Sequence, residues 1–169
     1  MTFLPAFVTN PLSGFRFAVA FADAAGPAGA LVSGGVTPSV SGFSEISGLE
    51  ASIEMFDYKE GGRNDYLHKF ATRASFGNIT FKRGVAVTPD LWEWHDAVRQ
   101  GSFGARRGIM IAHLAEDGSP ALVWSVNRAL PVKYIGPSWN AGSSSVAIES
   151  LEVAHEGLEL VSSAILGIG

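Results

Sequence analysis

The sequence contains no cysteine. Disulfides and thiolate metal sites are therefore excluded, and with them a secreted disulfide scaffold. The chain is also short of charge. Asp, Glu, Lys and Arg make up 17% of its 169 residues, against about 25% in a typical soluble domain. A surface so neutral often lies against a partner. The twelve basic residues are scattered, and Lys82-Arg83 and Arg106-Arg107 are their only adjacent pairs. Without a basic stripe to neutralise phosphates, specific nucleic-acid binding is not expected. No apolar run approaches the ~20 residues that span a bilayer. The apolar run from Leu158 to Gly169 is too short and ends in Gly167 and Gly169, so stable membrane insertion is not expected either. Met1 to Asn10 carries no basic residue, unlike the start of a secretory signal. The expectation is a chain made and folded in the cytoplasm.

Catalytic signatures are missing as well. There is no G-x-S-x-G elbow, no P-loop and no G-x-G-x-x-G. The four histidines, His68, His95, His113 and His155, show no metal-ligand spacing. Glu50 and Glu54 fall on one face of a strand pattern and read as a solvated face rather than an acid–base pair. Trp92, Trp94, Trp124 and Trp139 read as packing aromatics. The expectation is a protein that is not an enzyme and takes no cofactor or metal.

What is present is alternation. Phe15, Phe17, Val19 and Phe21 alternate with Arg16, Ala18 and Ala20, which predicts a first strand over Phe15 to Phe21. A second strand is predicted from about Ser44 to Tyr58. Its apolar phase flips at Phe56, as a β-bulge or a change of packing partner would require. Gly61-Gly62 marks a turn, and Asp65 to Phe76 reads as an extended loop or one irregular helical turn. Gly77 to Arg83 is a strand with Ile79 and Phe81 opposite Thr80 and Lys82. One helix is predicted over about Pro89 to Gln100. Thr88 is placed as its N-cap, Pro89 at its first position and Gly101 just past its end. Leu91, Trp94, His95 and Val98 line one face of it. Further strands follow over Gly108 to Ala115, over Ala121 to Leu130 with continuation to Ile135, and over Val146 to Glu156. The last has a second phase flip near Glu149-Ser150. The fold class is mainly β: a two-sheet β-sandwich or partly closed barrel with one flanking helix. The length predicts one domain, residues 1–169, with a Gly/Ala/Pro-rich loop at 24–42 and a short apolar tail at 159–169.

Several stretches, in this order, carry a family likeness. They are Gly42-Phe43-Ser44-Glu45-Ile46-Ser47-Gly48-Leu49-Glu50, Tyr58-Lys59-Glu60-Gly61-Gly62, Gly77-Asn78-Ile79-Thr80-Phe81-Lys82-Arg83-Gly84, Leu91-Trp92-Glu93-Trp94, and Ala147 to Leu158. The series resembles the tail-tube proteins of contractile phages and the inner-tube proteins of phage-tail-like contractile injection systems. The likeness covers about Phe15 to Leu160. The loop from Ala24 to Pro38 looks expanded relative to the family, and the tail from Val161 to Gly169 looks additional.

The resemblance implies a tail-tube fold and a structural role. Six copies form a ring, neighbouring sheets join edge to edge, and rings stack into a hollow tube inside a contractile sheath. The implied partners are further copies of the chain, the sheath, baseplate and tube-cap proteins, and protein cargo or DNA in the lumen. The implied location is a virion tail or injection particle after cytoplasmic assembly. Within that frame, Lys59, Glu60, Arg63, Asp65, Tyr66 and Arg73 are candidates for contacts between subunits or rings. Ser52, Glu54, Thr80, Ser125, Asn127, Ser150 and Glu152 are lumen-facing candidates, assigned by alternation. A hexameric cargo ring of the type VI secretion kind and a monomeric β-sandwich binding a carbohydrate or small ligand are the alternative readings.

Overall fold

A computed structural model describes residues 14–22, 42–59, 61, 66–142 and 144–161. Among the described residues nine strands and one helix follow in chain order. They are β1 (Phe17–Ala22), β2 (Phe43–Ser47), β3 (Ala51–Tyr58), β4 (His68–Phe76), β5 (Ile79–Gly84), α1 (Asp90–Arg99), β6 (Arg107–Leu114), β7 (Pro120–Ile135), β8 (Ile148–Ala154) and β9 (Gly157–Val161). A short 3-10 turn, Phe103–Ala105, links α1 to β6.

Seven strands run β1-β6-β7-β8-β5-β2 with β9 added beside β7, and β3 and β4 pair only with each other. Strand β7 is long enough to serve two layers. Its first half pairs with β6 and β9, and its second half pairs with β8. The chain changes layer at Arg128, which takes a positive φ of 54°. That strained backbone is held by Glu156, which accepts from Arg128 Nε at 2.6 Å and also from Arg106. The layers form an open sandwich, not a closed barrel.

The core lies between them. Val19, Ile109, Ile111 and Val126 from one layer meet Ile79, Phe81, Leu151 and Val153 from the other. Helix α1 closes the side with Leu91 and Trp94. The Trp94 Nε1–H donates to the Ala105 carbonyl at 2.6 Å, which satisfies the one polar atom of a buried indole. Fully burying each such side chain contributes about 1.5–3 kcal/mol.

The helix ends where glycine permits. Gly101, at φ +91°, donates to Val98 O, and Ser102 donates to Ala97 O, a Schellman arrangement. Its start differs from expectation. Pro89 occupies the cap position with no side-chain cap bond, and the Thr88 hydroxyl does not serve.

Other boundaries are corrected too. The strand expected over Ser44 to Tyr58 is two strands in different sheets, separated at Gly48. Gly48 sits at φ +89°, and a Cβ there would lie 2.1 Å from Asn78 O, so the chain turns out of the sandwich at that point. The segment expected to be loop or irregular helix is β4, a nine-residue strand from His68 to Phe76. The expected final strand ends at Ala154, and a further strand, β9, takes up Glu159 to Val161 from the supposed tail. No phase flip occurs in β8, because Glu149 is buried in line with Leu151 and Val153. The Gly/Ala/Pro-rich loop up to residue 41 and the tail from residue 162 lie outside the described residues.

Candidate functional site

The hairpin β3–β4 stands away from the sandwich. Every residue of β3 is exposed, as are seven of the nine residues of β4. Such exposure would suit a polar hairpin, but this one is apolar on both faces. One face carries Ile53 and Met55, at 62% and 53% exposed, above an Asp57–Lys69 ion pair at 3.7 Å. The other carries Phe56 and Tyr58 across from Phe70 and His68. There Tyr58 packs edge-on to Phe70 at 6.2 Å, and His68 stacks on Phe70 at 6.4 Å. Thr72 and Arg73 together oppose Glu54 in a bulge, where the Thr72 hydroxyl donates to Glu54 O at 3.0 Å. The phase flip read at Phe56 is therefore not a bulge in β3: the extra residue is on β4 opposite Glu54, and β3 is exposed on both faces.

Of the contact candidates, Lys59 and Tyr66 flank the hairpin tip, and the Tyr66 ring lies 5.0 Å from that of His68. Arg73 lies in the bulge, exposed. Glu60, Arg63 and Asp65 lie outside the described residues. The hairpin root is fixed by Gly77 N–H donating to Glu50 O and by the Gly48 turn.

The seven polar candidates fall on three surfaces. Ser52 and Glu54 belong to the hairpin, where the Ser52 and Ser75 hydroxyls hydrogen-bond at 2.7 Å. Thr80, Ser150 and Glu152 share the outer face of the β5–β8 layer with Glu45, Ser47, Lys82 and Lys133. On that face Lys82 pairs with Glu45 at 2.8 Å, and Asn78 donates to Glu152 at 2.7 Å. Ser125 and Asn127 lie on the outer face of the other layer, in register with Glu159 and Gly157. Ser125 is buried there, in line with Val123 and Met110.

Alternation alone did not reveal a buried ionic cluster at the junction of β5, β8, β7 and α1. Arg83 Nε donates to Glu149 at 2.6 Å, and its outer nitrogens donate to Asp90 at 2.5 and 3.2 Å. The Tyr134 hydroxyl donates to the second Glu149 oxygen at 2.7 Å. The available signal was phase, since Arg83 follows Ile79 and Phe81 at core positions and Glu149 precedes Leu151 and Val153. Burial pushes the Asp90 carboxyl up, but hydrogen bonds from Arg83 and its charge outweigh this and hold it below the usual carboxylate value. Burial, with Glu149 adding, pushes the Tyr134 hydroxyl up to about 12. The cluster locks a helix to a sheet. Among the described residues no group of three His, Asp or Glu is placed to hold a metal ion.

A model of the T4-like virus tail tube protein gp19 family matches residues 13–159. The chain belongs to that family. It is a structural tail-tube subunit rather than an enzyme. Two solved particles contain similar chains. One, in the anti-feeding prophage baseplate, is 26% identical, with a TM-score of 0.74 over 91% of this chain and 97% of that one. Another, in the sheath–tube complex of the PVC extracellular contractile injection system, is 22% identical, with a TM-score of 0.74 over 92% and 94%. Hcp1 from Flavobacterium johnsoniae shares the fold more loosely, at 13% identity and a TM-score of 0.50 over 88% and 97%. No curated protein matches the chain. A tail-tube subunit explains why the conspicuous surfaces are strand edges and an apolar hairpin rather than a pocket with convergent polar groups.

Proposed function

We propose that this tail-tube subunit forms six-membered rings that stack into the hollow inner tube of a contractile tail or injection particle. The whole chain serves as one tube domain. The observation that carries this reading is the hairpin. A lone two-stranded hairpin is marginal in water, and this one leaves Ile53, Met55, Phe56 and Phe70 each more than half exposed. Those side chains are buried once a neighbouring copy covers them. Lys59, Tyr66 and Arg73, with Glu60, Arg63 and Asp65 in the same connection, then contribute to the contact between rings.

Strand edges support the ring. Among the described residues, β1, β2 and β9 each pair on one side only. Open edges invite pairing with another chain, and joining edges through a rotation that closes gives a ring. The outer face with Thr80, Ser150 and Glu152 is charged and polar, which suits a wet lumen carrying protein or DNA. Sheath, baseplate and cap proteins are the expected neighbours, in line with the particles in which similar chains sit. Assembly begins in the cytoplasm, and the working location is the particle.

The test is negative-stain electron microscopy with sedimentation of the purified chain. Six-membered rings or tubes are expected. A monomer that persists at high concentration would sink the reading. A variant with residues 51–76 replaced by a short turn keeps the sandwich but forms no tubes.

A further inference from the structure

The sheet β1-β6-β7-β9 has a second face, turned away from the core between the layers. Its register runs straight across four strands. Ala18 pairs with Ala112, Ala112 with Val123, and Val123 with Val161. The next row is Ala20, Met110 and Ser125. A sheet face left to water exposes its side chains. Here Ala112 and Val123 are each 1% exposed, and Ala20, Met110 and Ser125 are buried with them. Flanking alanines are too short to shield a valine from above. The described apolar residues packed against the group are Ala18, Leu114 and Val161, all from the same sheet. Cover is needed from above, and in the isolated chain it has to come from the chain itself.

We propose that residues 162–169 of the same chain lie across this face as a strap. Three observations favour that segment. First, the chain leaves β9 at Val161, which already stands at the end of the row and packs on it. Burial is deepest at Val123 and Ala112, the two positions of the row nearest Val161, and is incomplete at Ala18, the farthest. Second, the segment fits in length and chemistry. Its eight residues carry no charged side chain and include Ile165, Leu166 and Ile168. Extended, they reach ~26 Å at ~3.3 Å per residue, whereas crossing four strands ~4.8 Å apart takes ~14 Å. The small side chains beneath leave room for the larger ones of the strap to pack closely. Third, the other long segments outside the described residues join the fold on its core side. Residues 1–13 lead to Gly14, which borders a cleft with Phe17 and Ile111. Residues 23–41 connect strands whose Phe21 and Phe43 rings meet at 6.0 Å against the core, beside the strand where burial of the outer face is least complete. The family match ends at residue 159, so the strap is this chain's own supplement to the matched region. It seals an apolar face within each subunit, whether or not rings form, and is not a free end for neighbours to grip.

The native chain has no cysteine, so single introduced thiols report burial. Ala112→Cys in the full chain is expected to resist a maleimide reagent. Adding Ile165→Asp and Leu166→Asp is expected to raise its labelling rate at least tenfold. Ala129→Cys, in the core between the layers, is expected to stay unreactive with or without the two aspartates. A thiol at position 112 that reacts quickly beside the native tail, or stays slow after the aspartates are added, overturns the proposal. If the aspartates also expose position 129, the fold itself has opened and a second measurement decides. Ala112→Cys is paired in turn with Ile165→Cys, Leu166→Cys and Ile168→Cys in dilute, mildly oxidised chain. At least one pair is expected to give a faster-running monomer band on a non-reducing gel, since a disulfide needs Cα atoms within about 7 Å. No internal bond from any pair, or dimers in its place, overturns the strap. So does an internal bond from position 112 to Val36→Cys or Phe7→Cys instead, which would assign the cover to another segment.

Discussion

Arg83 is a charged side chain only 1% exposed, and it survives burial because each of its three guanidinium nitrogens donates to a carboxylate. Its removal from water is offset by Glu149 at 2.6 Å and Asp90 at 2.5 Å. Breaking such a pair on one side leaves an uncompensated buried charge. Glu149→Ala is therefore expected to cost about 3–5 kcal/mol in urea unfolding, while Arg83→Met combined with Glu149→Leu recovers most of that loss. Tyr134 adds a pH signature. Its folded value of about 12 lies above the ordinary tyrosine value, so its contribution is fully present below about pH 10 and is lost as pH rises toward 12. Stability followed by circular dichroism should fall across that window, and Tyr134→Phe should flatten the fall. Asp90 acts at the opposite limit. Its value is lowered in the fold, so its contribution holds above the unfolded carboxylate value and is lost as pH falls through the folded one. These residues were legible only in part. Periodicity marks which face a residue takes, but a charge at a core phase reads as a break in the pattern until its partner is seen.

At the scale of elements, the regular alternation of β5 and β6 and the extent of α1 were read close to their observed bounds, while β8 lacks the phase flip expected of it and Pro89 rather than Thr88 caps the helix. The hairpin was not. An amphipathic strand announces itself by one apolar face, whereas β3 and β4 are apolar on both and buried on neither. Alternation then loses its meaning, and the run from Ser44 to Tyr58 looked like one strand of a single sheet. What divides it is one residue. Gly48 combines a positive φ with an approach that admits no Cβ. Gly48→Ala is expected to cost at least ~1 kcal/mol from the backbone alone, with more from the clash. Hydrogen exchange should show it as faster exchange at Gly77 and along β3 and β4, with little change at Ile79 and beyond.

For the whole molecule, the surfaces proposed to meet are apolar rather than ionic. Screening at 1 M salt shortens electrostatic reach to about 3 Å but leaves apolar burial intact. Tubes once formed are therefore expected to keep their length between 0.1 and 1 M sodium chloride, as measured by electron microscopy. Shortening in proportion to salt would point to the charged groups near the hairpin tip, such as Lys59 and Lys69, as the main contact. The low overall charge of the chain is consistent with surfaces of this kind.

The sequence by itself determined the β class, the helix, the absence of cysteine chemistry and the family likeness. Each of these depends on residue identity and short-range order. Tertiary structure alone decided that β7 serves two layers, that Arg83 and Glu149 meet across 66 positions, and that one hairpin leaves the sandwich. Those outcomes depend on which strands become neighbours, and pairing between distant segments follows from the shared core rather than from any local pattern.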